Sequence, residues 1–185
     1  MKILYNGSVQ DEYYTPVYAV ELIERYLKPH SKILCPFDTI DSNFVKYLSL
    51  KGHYVSYSHI VSGIDFFSFT KEQVKDYDYI VSNPPFSEKT RLFEKLIELE
   101  RPFAILLPIA QTMETQVRQD LFNKFDVQLL HPNKRIHFFS PIEGTVKKAT
   151  TFSSGYFCGG GVLPRDLLFA NIDKTLMGEN EYPQC

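Results

Sequence analysis

Tyr77–Phe86 reads YDYIVSNPPF, an apolar strand from Tyr77 to Ser82 that stops on Asn-Pro-Pro-Phe. An Asn in a turn ordinarily accepts the backbone N–H two residues on. Here residue 85 is Pro and so is residue 84, and a proline has no N–H to offer. The side-chain amide of Asn83 must therefore reach a more distant group or a ligand, because burying an amide without a partner is costly.

Outward from this stretch, strands and helices alternate. Upstream, Thr15–Leu27 reads as a helix with Thr15 as N-cap and Pro16 at the first helical position. Ser31–Cys35 is a short buried strand, followed by the loop PFDTID. Ser42 caps a helix over Asn43–Leu50, which Lys51-Gly52 closes, and His53–Ser58 is a second strand. Ile64–Phe69 (IDFFSF) is expected to be a short third strand. Downstream, Lys89–Glu98 is an amphipathic helix with Leu92, Phe93, Leu96 and Ile97 inward. Phe103–Pro108 (FAILLP) is a continuous apolar strand of the kind buried on both faces. A helix from Thr112 or Glu114 to Phe125 follows, then strands at Val127–Leu130 and Thr151–Cys158, expected to pair with each other. This alternation predicts an α/β sheet with helices on both faces. Ligands on such sheets bind beyond the carboxyl ends of the strands, where PFDTIDS and NPPF both fall.

The 185 residues suit one domain. Hydrophobic residues at 44% and charged residues at 23% are an ordinary globular mix, and a net charge of −2 gives no global nucleic-acid signal. Any contact with nucleic acid must come from a local patch. Cys35, Cys158 and Cys185 have no zinc or disulfide spacing, and free thiols fit a reducing cytoplasm. No apolar run approaches the roughly 20 residues of a membrane span. The histidines lack metal-ligand spacing, so no metal is expected, and His131 and His137 read as structural.

If the partner of Asn83 is an exocyclic amino group on a base, Asn83 Oδ1 can accept one hydrogen and the Pro84 carbonyl the other. The amino nitrogen of adenine is a poor nucleophile because its lone pair is spread into the ring. Two acceptors favour a more tetrahedral nitrogen, which is transition-state electrostatics without a covalent intermediate. Phe86 can stack on the ring, once the base has been flipped out of its duplex.

With these residues the chain resembles the S-adenosylmethionine-dependent methyltransferases that act on adenine N6. NPPF (Asn83, Pro84, Pro85, Phe86) is similar to their catalytic motif. DEYYTP (Asp11–Pro16) resembles the element before their first helix, implying cofactor contacts at Tyr14, Thr15 and Pro16. CPFDTIDSNFVKYL (Cys35–Leu48) is similar to the first cofactor motif of the EcoRI-type adenine-specific DNA methyltransferases, implying Pro36, Phe37, Asp38, Ser42 and Asn43 as cofactor residues. GIDFF (Gly63–Phe67) looks like the element that reaches the cofactor's adenine, implying Asp65 and Phe66. The resemblance spans roughly Asp11 to Pro108. It implies a class I methyltransferase (Rossmann-like) fold with a mostly parallel sheet, S-adenosyl-L-methionine as cofactor, DNA (or RNA) as substrate, and a phage or restriction-modification setting.

The chain departs from the pattern in two places. No Gly lies between Ser31 and Leu50, so the usual Gly-rich turn is absent. The capped helix start near Ser42 can still receive the methionine carboxylate, and Asp38 or Asp41 can accept from its ammonium group. YSHI also replaces the acidic residue that usually ends the second strand, leaving Ser58 or His59 to serve. One domain over residues 1–185 leaves no room for a separate target-recognition domain, so a short target, relaxed specificity or a protein partner is expected. Lys134, Arg135, Lys147 and Lys148 flank a loop; a solvated charged loop is the default, and phosphate contact follows if the site reading holds. Two other functions stay open. One is methylation of RNA amino groups or of a protein Gln amide. The other is a non-catalytic nucleotide-binding module, motivated by the missing Gly-rich turn.

Overall fold

A computed structural model describes residues 14–138 and 152–176. Asp11, Lys147, Lys148, Thr151 and Cys185, all named above, lie outside the described residues. The described chain forms α1 (Val17–Glu24), β1 (Lys32–Cys35), α2 (Asn43–Leu50), β2 (Tyr54–Tyr57), α3 (Lys71–Val74), β3 (Tyr79–Ser82), α4 (Lys89–Leu99), β4 (Phe103–Pro108), α5 (Ile109–Met113), α6 (Gln116–Lys124), β5 (Gln128–Pro132), β6 (Ser154–Gly159) and β7 (Leu167–Ala170).

The seven strands make one sheet in the order β2-β1-β3-β4-β6-β5-β7. β2, β1, β3 and β4 run parallel; β6 is antiparallel to both β4 and β5, and β7 returns parallel to β5. Both faces are covered, and side-chain alternation assigns them. Ile33, Cys35, Tyr79, Val81, Ala104 and Leu106 pack against α1 and α2. Leu34, Ile80, Ile105 and Leu107 pack against α4. A mostly parallel sheet buried on both sides needs near-continuous apolar strands, and FAILLP is buried at every position.

Three expectations are corrected and two elements are added. Ile64–Phe69 is not a strand: the Asp65 side chain accepts the Phe67 N–H at 3.0 Å and caps a single 3₁₀ turn, Phe66–Ser68. Thr15 is not the N-cap of α1: extended Pro16 holds that place without a side-chain cap, and the Thr15 carbonyl instead accepts from Asn43 Nδ2 at 2.9 Å. The helix expected up to Phe125 is two, α5 and α6. Buried Arg118 bridges the break by donating to the carbonyls of Gln111 and Thr112, groups that a helix end would otherwise leave unsatisfied. Finally, α3 and β7 have no counterpart among the elements expected from sequence.

Candidate active site

In the sheet order β1 stands between β2 and β3, so the chain winds one way from β1 and then back the other. The loops leaving β1 and β3 therefore turn to opposite sides at this switch point, the position beyond the carboxyl ends of the strands where open α/β sheets bind ligands. Pro36–Asp41 leaves β1 there and Asn83–Phe86 leaves β3. They are joined by one side chain: Asp38 accepts hydrogen bonds from Ser42 Oγ and from Ser82 Oγ, the residue just before Asn83.

Asp38 is buried, and desolvation pushes its carboxyl up to about 6 although both serine hydroxyls pull it down. Among the described residues no cationic side chain forms an ion pair with it. Ser42 does double duty, since its Oγ also caps α2 by accepting the Phe44 N–H.

Backbone hydrogen bonds carry the β1–β2 ladder past the strand ends: Ser58 N donates to Cys35 O, and Asp38 N donates to Ser58 O. Ser58 itself is buried, with its hydroxyl directed to the Pro36 carbonyl at 3.4 Å. His59 is half-buried and its Nδ1 accepts from the Val61 N–H. Phe37 meets Phe66 with ring centroids 4.9 Å apart, which brings the Asp65–Phe66 turn beside the β1 loop. Asn43, through the Thr15 carbonyl, draws in Tyr14, Thr15 and Pro16, of which Thr15 and Pro16 are buried. The residues predicted around the first cofactor motif thus lie at one end of the sheet.

In the second loop Asn83 and Phe86 are half-buried, Pro84 is buried and Pro85 is exposed. Phe86 is held from two sides. Lys89 donates to its carbonyl and stands over its ring. The Phe152 ring meets it edge-on with centroids 5.8 Å apart, and Phe152 in turn contacts Phe138 at 6.4 Å. Ser82, Lys89, Phe138 and Phe152 were not singled out from sequence. Only Lys89, three residues past Phe86 at the start of a helix, carried a local signal. Lys134 and Arg135 are exposed just after β5, at the same edge of the sheet.

No protein-family model matches the chain, and no curated protein matches it. Among solved structures it is similar to a predicted O-methyltransferase from Agrobacterium tumefaciens, with a TM-score of 0.52 at 8% identity over 85% of this chain and 86% of that one. The fold is that of a class I methyltransferase. Two other structures align less closely. A chain described as a type I restriction enzyme modification subunit from Vibrio vulnificus gives 0.47 at 14% identity, covering 80% of this chain and 44% of that one. A release-factor-specific protein-(glutamine-N5) methyltransferase from Alicyclobacillus acidocaldarius gives 0.44 at 14%, covering 77% and 90%. At these identities the class I likeness is one of architecture. Among the described residues no helix is long and apolar enough to cross a membrane.

Proposed function

We propose that this protein is an S-adenosylmethionine-dependent methyltransferase acting on the exocyclic N6 amino group of adenine in DNA. The observation that carries the reading is the Asp38 bridge. A buried carboxylate with no cationic side chain paired to it, among the described residues, sits at the switch point and is hydrogen-bonded to the residue preceding Asn83.

A cationic ligand fits that carboxylate. When bound, S-adenosylmethionine supplies a methyl group on a positively charged sulfur. Asp38 offers its charge to the ligand's cationic end, and the start of α2 offers the first-turn backbone N–H groups that Ser42 does not cap to a carboxylate. Phe37, Asp65 and Phe66 supply a ring pair and an acceptor suited to an adenine. On the acceptor side, Asn83 Oδ1 and the Pro84 carbonyl take the two amino hydrogens of the target base and localise its lone pair. Phe86 stacks on that base, with its own angle fixed by Lys89 and Phe152. The Phe86–Phe152–Phe138 cluster keeps bulk water from the reacting nitrogen, which strengthens both acceptor contacts.

The test is methyl transfer from labelled S-adenosylmethionine to duplex DNA, followed by digestion to nucleosides. Label is expected in N6-methyldeoxyadenosine. Label that enters only RNA or a Gln-containing peptide overturns the DNA assignment. Absence of cofactor binding by calorimetry overturns the methyltransferase itself.

A further inference from the structure

The carboxyl edge continues past the catalytic loop. β5 and β7 run parallel to each other and β5 is antiparallel to β6, which is antiparallel to β4. The segments leaving β5 and β7 therefore emerge on the same side of the sheet as Asn83. Asn133 ties them together: its N–H donates to the Ala170 carbonyl at 2.8 Å and its Oδ1 accepts from the Ile172 N–H at 3.0 Å. This brings Lys174 beside the stretch that contains Lys134 and His137.

Lys174 Nζ lies 3.1 Å from His137 Nε2 and 5.8 Å from the centroid of the Tyr18 ring. An ammonium only donates, so the form of His137 that suits this contact is the neutral imidazole with its lone pair on Nε2. The His137 backbone N–H donates to the Tyr18 hydroxyl at 2.8 Å, which fixes the segment. Partial burial lowers the proton affinity of both groups; Lys134 lowers it further at Lys174, as Lys174 does at His137. Among the described residues neither Lys134 nor Lys174 forms an ion pair. The facing acid is Asp173, whose carboxylate is engaged first by the Thr175 hydroxyl and N–H, and which also feels Lys134 and Arg25. Arg25 is paired with Glu21. In a chain of net charge −2, this is a local concentration of positive charge that repels itself. An anion would relieve it.

Its position names the anion. His137 precedes Phe138, and Phe138 reaches Phe86 through Phe152 by two ring contacts. We propose that Lys174, Lys134 and His137 form a phosphate subsite that grips the nucleic-acid backbone beside the base entering at Phe86. The proposal rests on the base-methylation reading above and adds what a peptide acceptor would lack, a phosphodiester.

The test measures binding of a fluorescent DNA duplex, and of RNA of the same sequence, to the full chain across a salt series. The cofactor dissociation constant is followed alongside as a control on folding. For Lys134→Gln/Lys174→Gln the expected result is a tenfold or greater loss of oligonucleotide affinity. The slope of log affinity against log salt should flatten by about 0.9 for each duplex phosphate contact removed. Lys174→Arg should keep most of the slope, and cofactor binding should not change in either variant. Unchanged affinity and slope in the double variant overturn the subsite, as does a wild-type chain that binds cofactor but neither DNA nor RNA. Loss of the slope in a protein that transfers no methyl group supports the subsite while breaking the enzymatic reading, so the two failures are distinct.

Discussion

The two halves of the sheet end at one edge with opposite chemistry. Over β1 and β3 the polar centre is a buried carboxylate held by two serine hydroxyls, with no described cation paired to it. Over β5 and β7 it is an ammonium against an imidazole, with a second lysine close enough to act on it and the neighbouring Asp173 carboxylate already engaged by Thr175. Among the described residues each half carries a charge that no ion pair compensates, and the signs differ. A small cation suits the first and a polyanion the second. The net charge of the chain averages this contrast away, which is why composition alone gives no sign of it.

The sharpest way to break the comparison is at Asn83, which leaves β3 at the edge the two halves share. Asn83→Ala should lower the rate of methyl transfer by about 10²–10³-fold, the usual cost of losing one preorganised transition-state contact. Phe86→Ala should fall in the same direction through lost stacking. Calorimetry on both variants should show cofactor binding nearly intact. A parallel loss of cofactor affinity would mean that the two halves do not divide cofactor and acceptor between them.

Asp38 tests the parallel half alone. Its carboxyl rises from the ordinary 3.8 to about 6 on folding because burial disfavours the charge. A folded value above the unfolded one means that its stabilising contribution is complete below about pH 4 and is lost as pH rises through 6. The loss amounts to about 3 kcal/mol, from 1.36 kcal/mol per unit. Urea unfolding of Asp38→Asn across this window should lack that decline, so the variant gains on the wild type as pH increases. Cofactor affinity should move the other way in the wild type, strengthening as Asp38 ionises, and should stay flat in the variant. Parallel stability curves would show that Asp38 carries no uncompensated charge.

Legibility in the sequence follows the same division. α2 was readable to the residue because Ser42 supplies a cap and Phe44, Val45 and Leu48 supply a buried stripe. β4 was readable because six consecutive apolar residues admit little else. Both signals are local. IDFFSF misled because its aromatics suit a strand, while the deciding event is the Asp65 carboxylate capturing the Phe67 N–H. Helix α3 could have been found: Thr70 and Gln73 form a capping box, and TKEQ shows that spacing. The half-exposed β7 has a weak pattern of its own and exists by pairing with β5, far back in the chain. The contact between His137 and Lys174 depends on that pairing and on Asn133, so no spacing rule reaches it. Where the NPPF loop leads was legible, whereas the aromatic neighbours that hold Phe86 arrive from after β5 and before β6.

The seam between the halves gives the last and smallest effect. β4 meets β6 with Phe103 opposite Gly159, and a Cβ on Gly159 would stand 2.3 Å from Phe103 Cε1. Phe103 is nearly fully buried and packs edge-on against Phe93, so its ring has little room to retreat. Gly159→Ala should therefore overpack the seam and cost about 2 kcal/mol in urea unfolding. Gly161 serves as the control, because a Cβ there meets no atom within 4 Å and only its positive φ of 72° opposes the change. If the halves form one cooperative unit, the Gly159 variant should still unfold in a single transition seen equally at β1 and at β5. A split transition would mean that the parallel half and the half beyond β4 fold separately. The division of charge would then coincide with a division of stability.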